Sequence, residues 1–486
     1  MDTSRPQLDI IPQPSIAHFD AHELESNLTT PSTPGSSNWR RTLIASEAPD
    51  TAVSLPPTDG GFHAYAYLAS AWMLELLVWS FPFSYGVFLN YYTTVLFPPD
   101  DPQLNLLPLV GTLSSGIIYM ASLLVLPFVL KYPGQKRNIS FLGFVLCVLG
   151  LLGSGFATRP AHLVATQGVV YSIGATMMFF PVITWLIEWF SVKRGLANGI
   201  LFTGTGLGGI VVPFVAEILL NRYGHRTTFI VLAAIFGVLA LPALVYAKPR
   251  LPVAQIFAAN AVDTSFLKNQ VFWIFFIANI IQAFANFLPG IYLPSFANDL
   301  NLSTTSGTLA LALMNATSMP GLILIGGMSD KLDLRLSISL STVGPALAIF
   351  LVWGFTANLA PLLVFACIYG FFSGGFSVLW PKFIGVISKD DPHLYTTLMS
   401  IFVSSRGLGN VLSGPLSTTL LNHSPLYDRA RFGYGLKGYG SLILFSGCGM
   451  LASTVAVCYP YFLNKTVDVG HPLARRPVPM RRLTDD

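Results

Sequence analysis

Three charged side chains, Arg406, Glu75 and Glu217, stand inside long apolar stretches of this 486-residue chain. A charge placed at the centre of a bilayer-spanning helix costs about 3 kcal/mol on insertion scales, so such residues are kept for a purpose. Arg406 lies roughly three turns into its stretch. It suits an anionic ligand or a conformational ion pair, and the competing role is a long stem that carries the charge to the membrane edge. Glu75 and Glu217 suit the carriage of a proton; each could equally face a water-filled crevice or the headgroups, and Glu217 nears Arg222. Asn279, Gln282 and Asn286 recur at i, i+3 and i+7 and give one helix a polar stripe. Such a stripe lines a cavity or a helix–helix contact.

A second chemistry is offered by Gly204, Gly206 and Gly209, spaced as G-x-G-x-x-G. The dinucleotide fingerprint needs a strand before the glycines and an acid about 20 residues later. Glu217 comes too early and the flanks are apolar, so no nucleotide cofactor is expected. The eight histidines lie in tails, loops or at helix ends, and the four cysteines, Cys147, Cys367, Cys448 and Cys458, lie within apolar runs. Metal and nucleophilic chemistry have no foothold within the spans, and an enzyme is not expected.

The elements that hold these residues follow from composition. The chain is 52% hydrophobic and 10% charged, where soluble proteins carry about 25% charged residues. Runs near the ~20 residues that cross hydrocarbon recur at 66–92, 107–130, 139–157, 162–187, 196–220, 228–247, 271–293, 305–326, 336–355, 362–385, 395–421 and 441–463. Backbone in lipid must satisfy its own hydrogen bonds, and continuous rather than alternating apolarity selects helices over a barrel. The expected fold is all-α and integral to the membrane, with twelve transmembrane helices. The net charge of +4 is spread over connectors and tails, so nucleic acid is not an expected partner.

Residues 1–58 are rich in Pro, Ser and Thr and read as a disordered tail. Two six-helix halves, 59–247 and 271–463, are expected around a linker at 248–270, with a tail at 464–486. Thr205-Gly206-Leu207-Gly208-Gly209 in the fifth helix is echoed by Arg406-Gly407-Leu408-Gly409-Asn410 in the eleventh. Parallel repeats of this kind are a transporter design. Lys131, Lys136, Arg137, Lys193, Arg194, Lys248, Arg250, Lys268, Lys331 and Arg335 share a side with the arginine-bearing tails, which makes both termini cytosolic by the positive-inside rule. Asn301 is the glycosylation candidate that clears the membrane on the outer side.

The stretch from Glu188 to Pro213 resembles the helix 4–5 signature of the monocarboxylate porter family of the major facilitator superfamily, in a fungal style. Trp189, Phe190, Lys193, Arg194, Gly195, Leu196, Ala197, Gly199, Gly204 and Gly206 fill it. The family's acidic-Gly-Gly-aromatic motif before helix 1 is matched by Asp59, Gly60, Gly61 and Phe62, and the superfamily's loop between helices 8 and 9 by Gly326, Gly327, Met328, Ser329, Asp330 and Lys331. The resemblance implies a carrier that alternates between inward- and outward-facing states in the plasma membrane. The conformational motif would then comprise Asp59, Gly60, Gly61, Lys193, Arg194, Gly195, Gly199, Gly204, Gly206, Gly208, Gly407, Gly409, Asp330 and Lys331.

The departures are informative. Lactate carriers of this family use a Lys in helix 1 and an Asp and Arg in helix 8; the matching positions here hold Phe83, Asn315 and Met319. Phe83, Tyr85, Asn315 and Met319, with Asn279, Gln282, Asn286 and Arg406, would line an apolar and hydrogen-bonding cavity suited to a larger organic molecule. The expected function is secondary transport of a small organic substrate, as export of a secondary metabolite or uptake of an organic acid or vitamin, with Glu75 and Glu217 as proton-coupling candidates. The competing class is a transporter-like receptor that binds without transport.

Overall fold

The computed structural model describes residues 56–191, 193–251, 264–388, 392–422 and 434–467. The expected N-terminal tail, apart from residues 56–58, the centre of the 248–270 linker, the C-terminal tail beyond 467, and the side chains of Arg194 and Asp330 lie outside the described residues. The described residues form helices and no strands. The rods are α1 (Gly61–Leu96), α2 (Leu104–Val125), α3 (Lys136–Gly155), α4 (Pro160–Thr184), α7 (Gln270–Asp299), α9 (Leu334–Trp353), α10 (Leu359–Ser388) and α12 (Gly438–Leu463). To these are added α8 (Thr304–Lys331), α11 (Pro392–Asn422) and the long rod Arg194–Tyr246, whose parts 194–223 and 225–246 are α5 and α6.

Ten stretches among the described residues are long and apolar enough to cross a membrane. The expectation of twelve differs from this at two places. The rod Arg194–Tyr246 is continuous save for Gly224, whose φ of 75° is left-handed and favours glycine. A connector was expected at 221–227, but one glycine is all the chain needs to turn there. The other place is α11, whose serines, threonines and Arg406 lower its hydropathy.

Caps begin several rods. The side chains of Asn269, Ser303 and Asp333 accept from the backbone N–H groups of Val271, Ser306 and Arg335. Each fills an orphan donor that the first helical turn cannot. Apolar side chains such as Leu124, Leu196, Val238, Ile323 and Tyr461 are exposed around the outside. In water that would be costly, whereas against acyl chains it is the expected surface.

Rods α1–α6 contact one another, as do α7–α12, and these two groups, the halves, meet chiefly at α2 with α11, α5 with α8 and α1 with α7, and to a lesser extent at α1 with α8. Hydrogen bonds between the groups include Met120–Ser404, Ser115–Asn410, Asn105–Thr418, Asn105–Asn422, Asn315–Gly209 and Thr305–Glu217. These run from the middle of the rods to the face opposite the one that holds Asp59 and Leu463. Close approach there needs small residues. A Cβ on Gly86 would meet the Gly290 carbonyl at 2.5 Å, and one on Gly407 the Gly116 carbonyl at 2.5 Å.

Three rods are interrupted next to residues that touch Arg406 or its amide partners: α2 at Ala121, α7 at Phe287 and α10 at Gly374. Irregular backbone inside a membrane persists only where protein or a cavity satisfies it. The three breaks surround Arg406.

Candidate functional site

Arg406 is 7% exposed, and among the described residues no carboxylate pairs with it. Its Nη1 donates to Gln282 Oε1 at 2.7 Å. With the Asn286 amide oriented by its partners, Nη2 donates to Asn286 Oδ1 at 2.8 Å while Asn286 Nδ2 donates to the Ser373 carbonyl at 3.1 Å. The break at Phe287 leaves the Asn286 carbonyl available, and the Tyr369 hydroxyl donates to it at 2.7 Å. Two neutral amides therefore hold the guanidinium fork without cancelling its charge.

Aromatic rings flank the fork. The Arg406 guanidinium carbon lies 5.9 Å from the Trp380 ring and 5.9 Å from the Tyr119 ring. Trp380 Nε1 donates to Asn279 Oδ1 at 2.9 Å, and Asn279 Nδ2 donates to the Phe402 carbonyl and to Ser405 Oγ, each at 2.8 Å. Asn279 thus orients Trp380 and ties α7 to α10 and α11. Tyr119 comes from α2 in the other half. From it the rings continue to Trp79 at 4.7 Å, then to Phe83 and Phe287 at 6.2 Å steps. A cation thus stands at one end of a row of rings, of which Trp79 is buried and Tyr119, Phe83 and Phe287 are half-buried.

Glu75 on α1 is 1% exposed and accepts from the Thr205 hydroxyl of α5. Its Oε2 has no hydrogen-bond partner among the described residues. Tyr119, beside Arg406, packs on Trp79, which lies one turn from Glu75 on α1. Glu217 sits near the opposite face, where Thr305 of α8 donates to it at 2.8 Å. It ties the halves together there, away from Arg406.

The remaining expected site residues scatter. Asn315 Nδ2 donates to the Gly209 carbonyl at 2.9 Å and to the Phe83 carbonyl at 3.4 Å, both across the half boundary. Met319, one turn on, packs on Gly206, where a Cβ would meet its Sδ at 2.5 Å. Tyr85 is fully buried between α1 and α2, its hydroxyl donating to the Leu107 carbonyl.

The glycine echo separates into two faces. Gly206 meets α8 and Gly407 meets α2, each in the other half; Gly208 meets Leu76 and Ser80 of α1, and Gly409 meets Ala283 and Ile280 of α7, each in its own half. Gly204 also faces α1, against the Trp72 carbonyl, while Gly199 has nothing within 4 Å. On the face that holds both ends of the described chain, Asp59 (φ 58°) accepts from the N–H groups of Ser191 and Lys193 and from the Ser191 hydroxyl. Gly60 is open, and Gly61 has φ 83°. The Gly195 surroundings lie outside the described residues, and Lys331 and Asn301 are exposed.

Sequence reasoning missed Trp79, Tyr119, Trp380 and Thr205. Tyr119 had a usable signal: Thr112, Ser115, Gly116 and Tyr119 fall at i, i+3, i+4 and i+7 and form the stripe of α2 that meets α11.

The Major Facilitator Superfamily profile matches residues 76–414. The chain is 24% identical over 420 residues to "MFS-type transporter pynF" of Aspergillus niger, covering 84% of this chain and 93% of that protein. It is 24% identical over 381 residues to "Aspyridones efflux protein apdF" of Emericella nidulans, covering 77% and 75%. Among solved structures, the nucleoside transporter NupG superposes with a TM-score of 0.62 at 15% identity, over 83% of this chain and 99% of that one. A D-xylose-proton symporter superposes at 0.61 and 15% identity, over 81% and 97%.

Proposed function

Because the chain belongs to the Major Facilitator Superfamily, and so is a membrane transporter rather than an enzyme, we propose that it moves an amphipathic organic anion by alternating access between its two halves. The observation that carries this is Arg406, buried and charged, with neutral amides where a structural ion pair would have an acid. A buried cation without a counter-ion favours an anionic ligand strongly in a low dielectric. The rings of Trp79, Tyr119, Phe83 and Phe287 suit a flat, apolar body joined to that acid. Similarity to an aspyridones efflux protein supports export of a secondary metabolite.

The proposal carries further assignments. Breaking Arg194–Tyr246 at Gly224 and adding α11 to the ten apolar spans gives twelve crossings, with both termini cytosolic and the protein in the plasma membrane. The membership is of the monocarboxylate-porter type, supported by the signature from Trp189 onward. Glu75 binds a proton when the substrate leaves, since a buried carboxyl without a cation is comfortable when protonated. The hydrogen bonds between α2 and α11 and between α5 and α8 close the outer side. Each contributes about 1 kcal/mol, so a bound substrate can tip the balance.

Protein reconstituted in liposomes tests this with a panel of labelled aromatic acids and their neutral amides, with and without a pH gradient. Flux of acids over amides is expected, driven by an inward proton gradient. Binding of acids with no flux under any gradient would sink the carrier in favour of a receptor.

A further inference from the structure

The two halves treat equivalent positions differently. In the echo, Thr205 of α5 stands where Arg406 stands in α11. Thr205 donates to Glu75 of α1, and Arg406 donates to Gln282 of α7. The neighbouring glycines follow the same correspondence, Gly208 against α1 and Gly409 against α7. Gly209 and Asn410, next in line, take the contacts from α8 and α2. The glycine contacts set Leu76 opposite Ile280, so Glu75 is level with Asn279 and Gln282 lies about one turn on. Glu75 and Gln282 match only as the partners of equivalent residues, an acid for the neutral hydroxyl and an amide for the cation.

We propose that Gln282 is a positioning residue that sets the charge preference of the substrate site, by holding Arg406 without neutralising it. This rests on the anion reading above. Gln282 is fully buried, so its amide is withdrawn from water for these contacts. Its Nε2 donates to the Ser373 carbonyl at 3.4 Å, which turns Oε1 toward Arg406. An acid at this position would put a carboxylate oxygen where the amide oxygen now accepts at 2.7 Å. That internal ion pair would compete with any anionic substrate for the same fork. Asn286 supplies the second neutral acceptor, so neither anchor cancels the charge.

The test uses full-length purified protein with 2-naphthoate and 2-naphthamide, a pair of the same skeleton that differ in charge. The unmodified protein is expected to bind the acid at least roughly tenfold tighter than the amide, a difference of about 1.4 kcal/mol. Gln282→Glu should remove that preference and leave amide binding within about twofold. Gln282→Met, which keeps the volume and deletes the acceptor, should weaken the acid several-fold and spare the amide; it decides the matter if Gln282→Glu cannot be recovered folded. A folded variant that keeps wild-type acid binding, or that loses acid and amide alike, overturns the positioning role while leaving the anion reading intact. Equal or absent binding of the two probes by the unmodified protein overturns the anion reading and this inference with it.

Discussion

The Arg406 guanidinium lies 5.9 Å from the ring of Tyr119, and the two residues belong to different halves of the bundle. The cation is anchored in one half by Gln282 and Asn286, while one of its aromatic faces is supplied by the other. Any rocking of the halves must change that contact. In the proposed alternating-access cycle, substrate charge and conformation are thereby linked at one pair of residues.

Arg406→Gln should abolish transport of anionic substrates while the protein still inserts and purifies. Arg406→Lys keeps the charge but cannot reach two amide acceptors with a planar fork, so it should retain a fraction of the flux. Counterflow of a labelled acid in liposomes measures both, and wild-type rates in the glutamine variant would remove Arg406 from the mechanism.

Glu75→Gln preserves the shape of the carboxyl and its bond from Thr205 but cannot exchange a proton. Flux driven by a pH gradient should be lost, whereas exchange of substrate for substrate at equal pH should persist. The two assays run on one preparation; a variant that still responds to the gradient would exclude Glu75 as the coupling group.

Gly206→Leu would drive its side chain into Met319, and Gly407→Leu would drive its own into the backbone of α2. Overpacking costs about 1–3 kcal/mol, here charged against closure of the half interface, so both variants should be blocked in transport. Gly199→Ala meets nothing within 4 Å and should stabilise its helix by up to about 1 kcal/mol with transport unchanged. Transport by Gly206→Leu at the wild-type rate would show that the halves do not close on this face.

Asn315→Ala deletes the bonds to Gly209 and Phe83 across the boundary. Loss of about 1 kcal/mol of closing energy shifts the equilibrium roughly fivefold toward opening on that face. A cysteine placed at Asn90, buried near the Glu217 cluster, should then be labelled faster by a membrane-impermeant thiol reagent. Unchanged labelling would reduce Asn315 to a packing residue.

Asp59→Ala unties the turn before α1 from residues 191–193. Hydrogen bonds to a charged acceptor contribute about 1.5–3 kcal/mol, so the connector should loosen and limited trypsin digestion at exposed Lys193 should quicken. Asp59→Asn, which keeps one acceptor oxygen, should fall between the two.

The sequence by itself determined the class of fold, because apolar runs of this length leave the backbone no alternative to helix, and it exposed Arg406 and Glu75, because charge is rare and costly in such runs. It also offered the glycine echo, but a string of glycines does not say what each one faces. The tertiary structure alone decided that Gly206 and Gly407 meet the opposite half while Gly208 and Gly409 meet their own, since helical rotation of about 100° per residue matters only once the neighbours are in place. Likewise Asn279, Gln282 and Asn286 read as one stripe, yet the fold gives Asn279 to Trp380 and the other two to Arg406. Tyr119 and Trp79 looked like ordinary membrane aromatics in the sequence. They join the candidate site only because α2 carries Tyr119 against Arg406 and Trp79 of α1 packs on that ring, and that convergence depends on contacts between residues hundreds of positions apart.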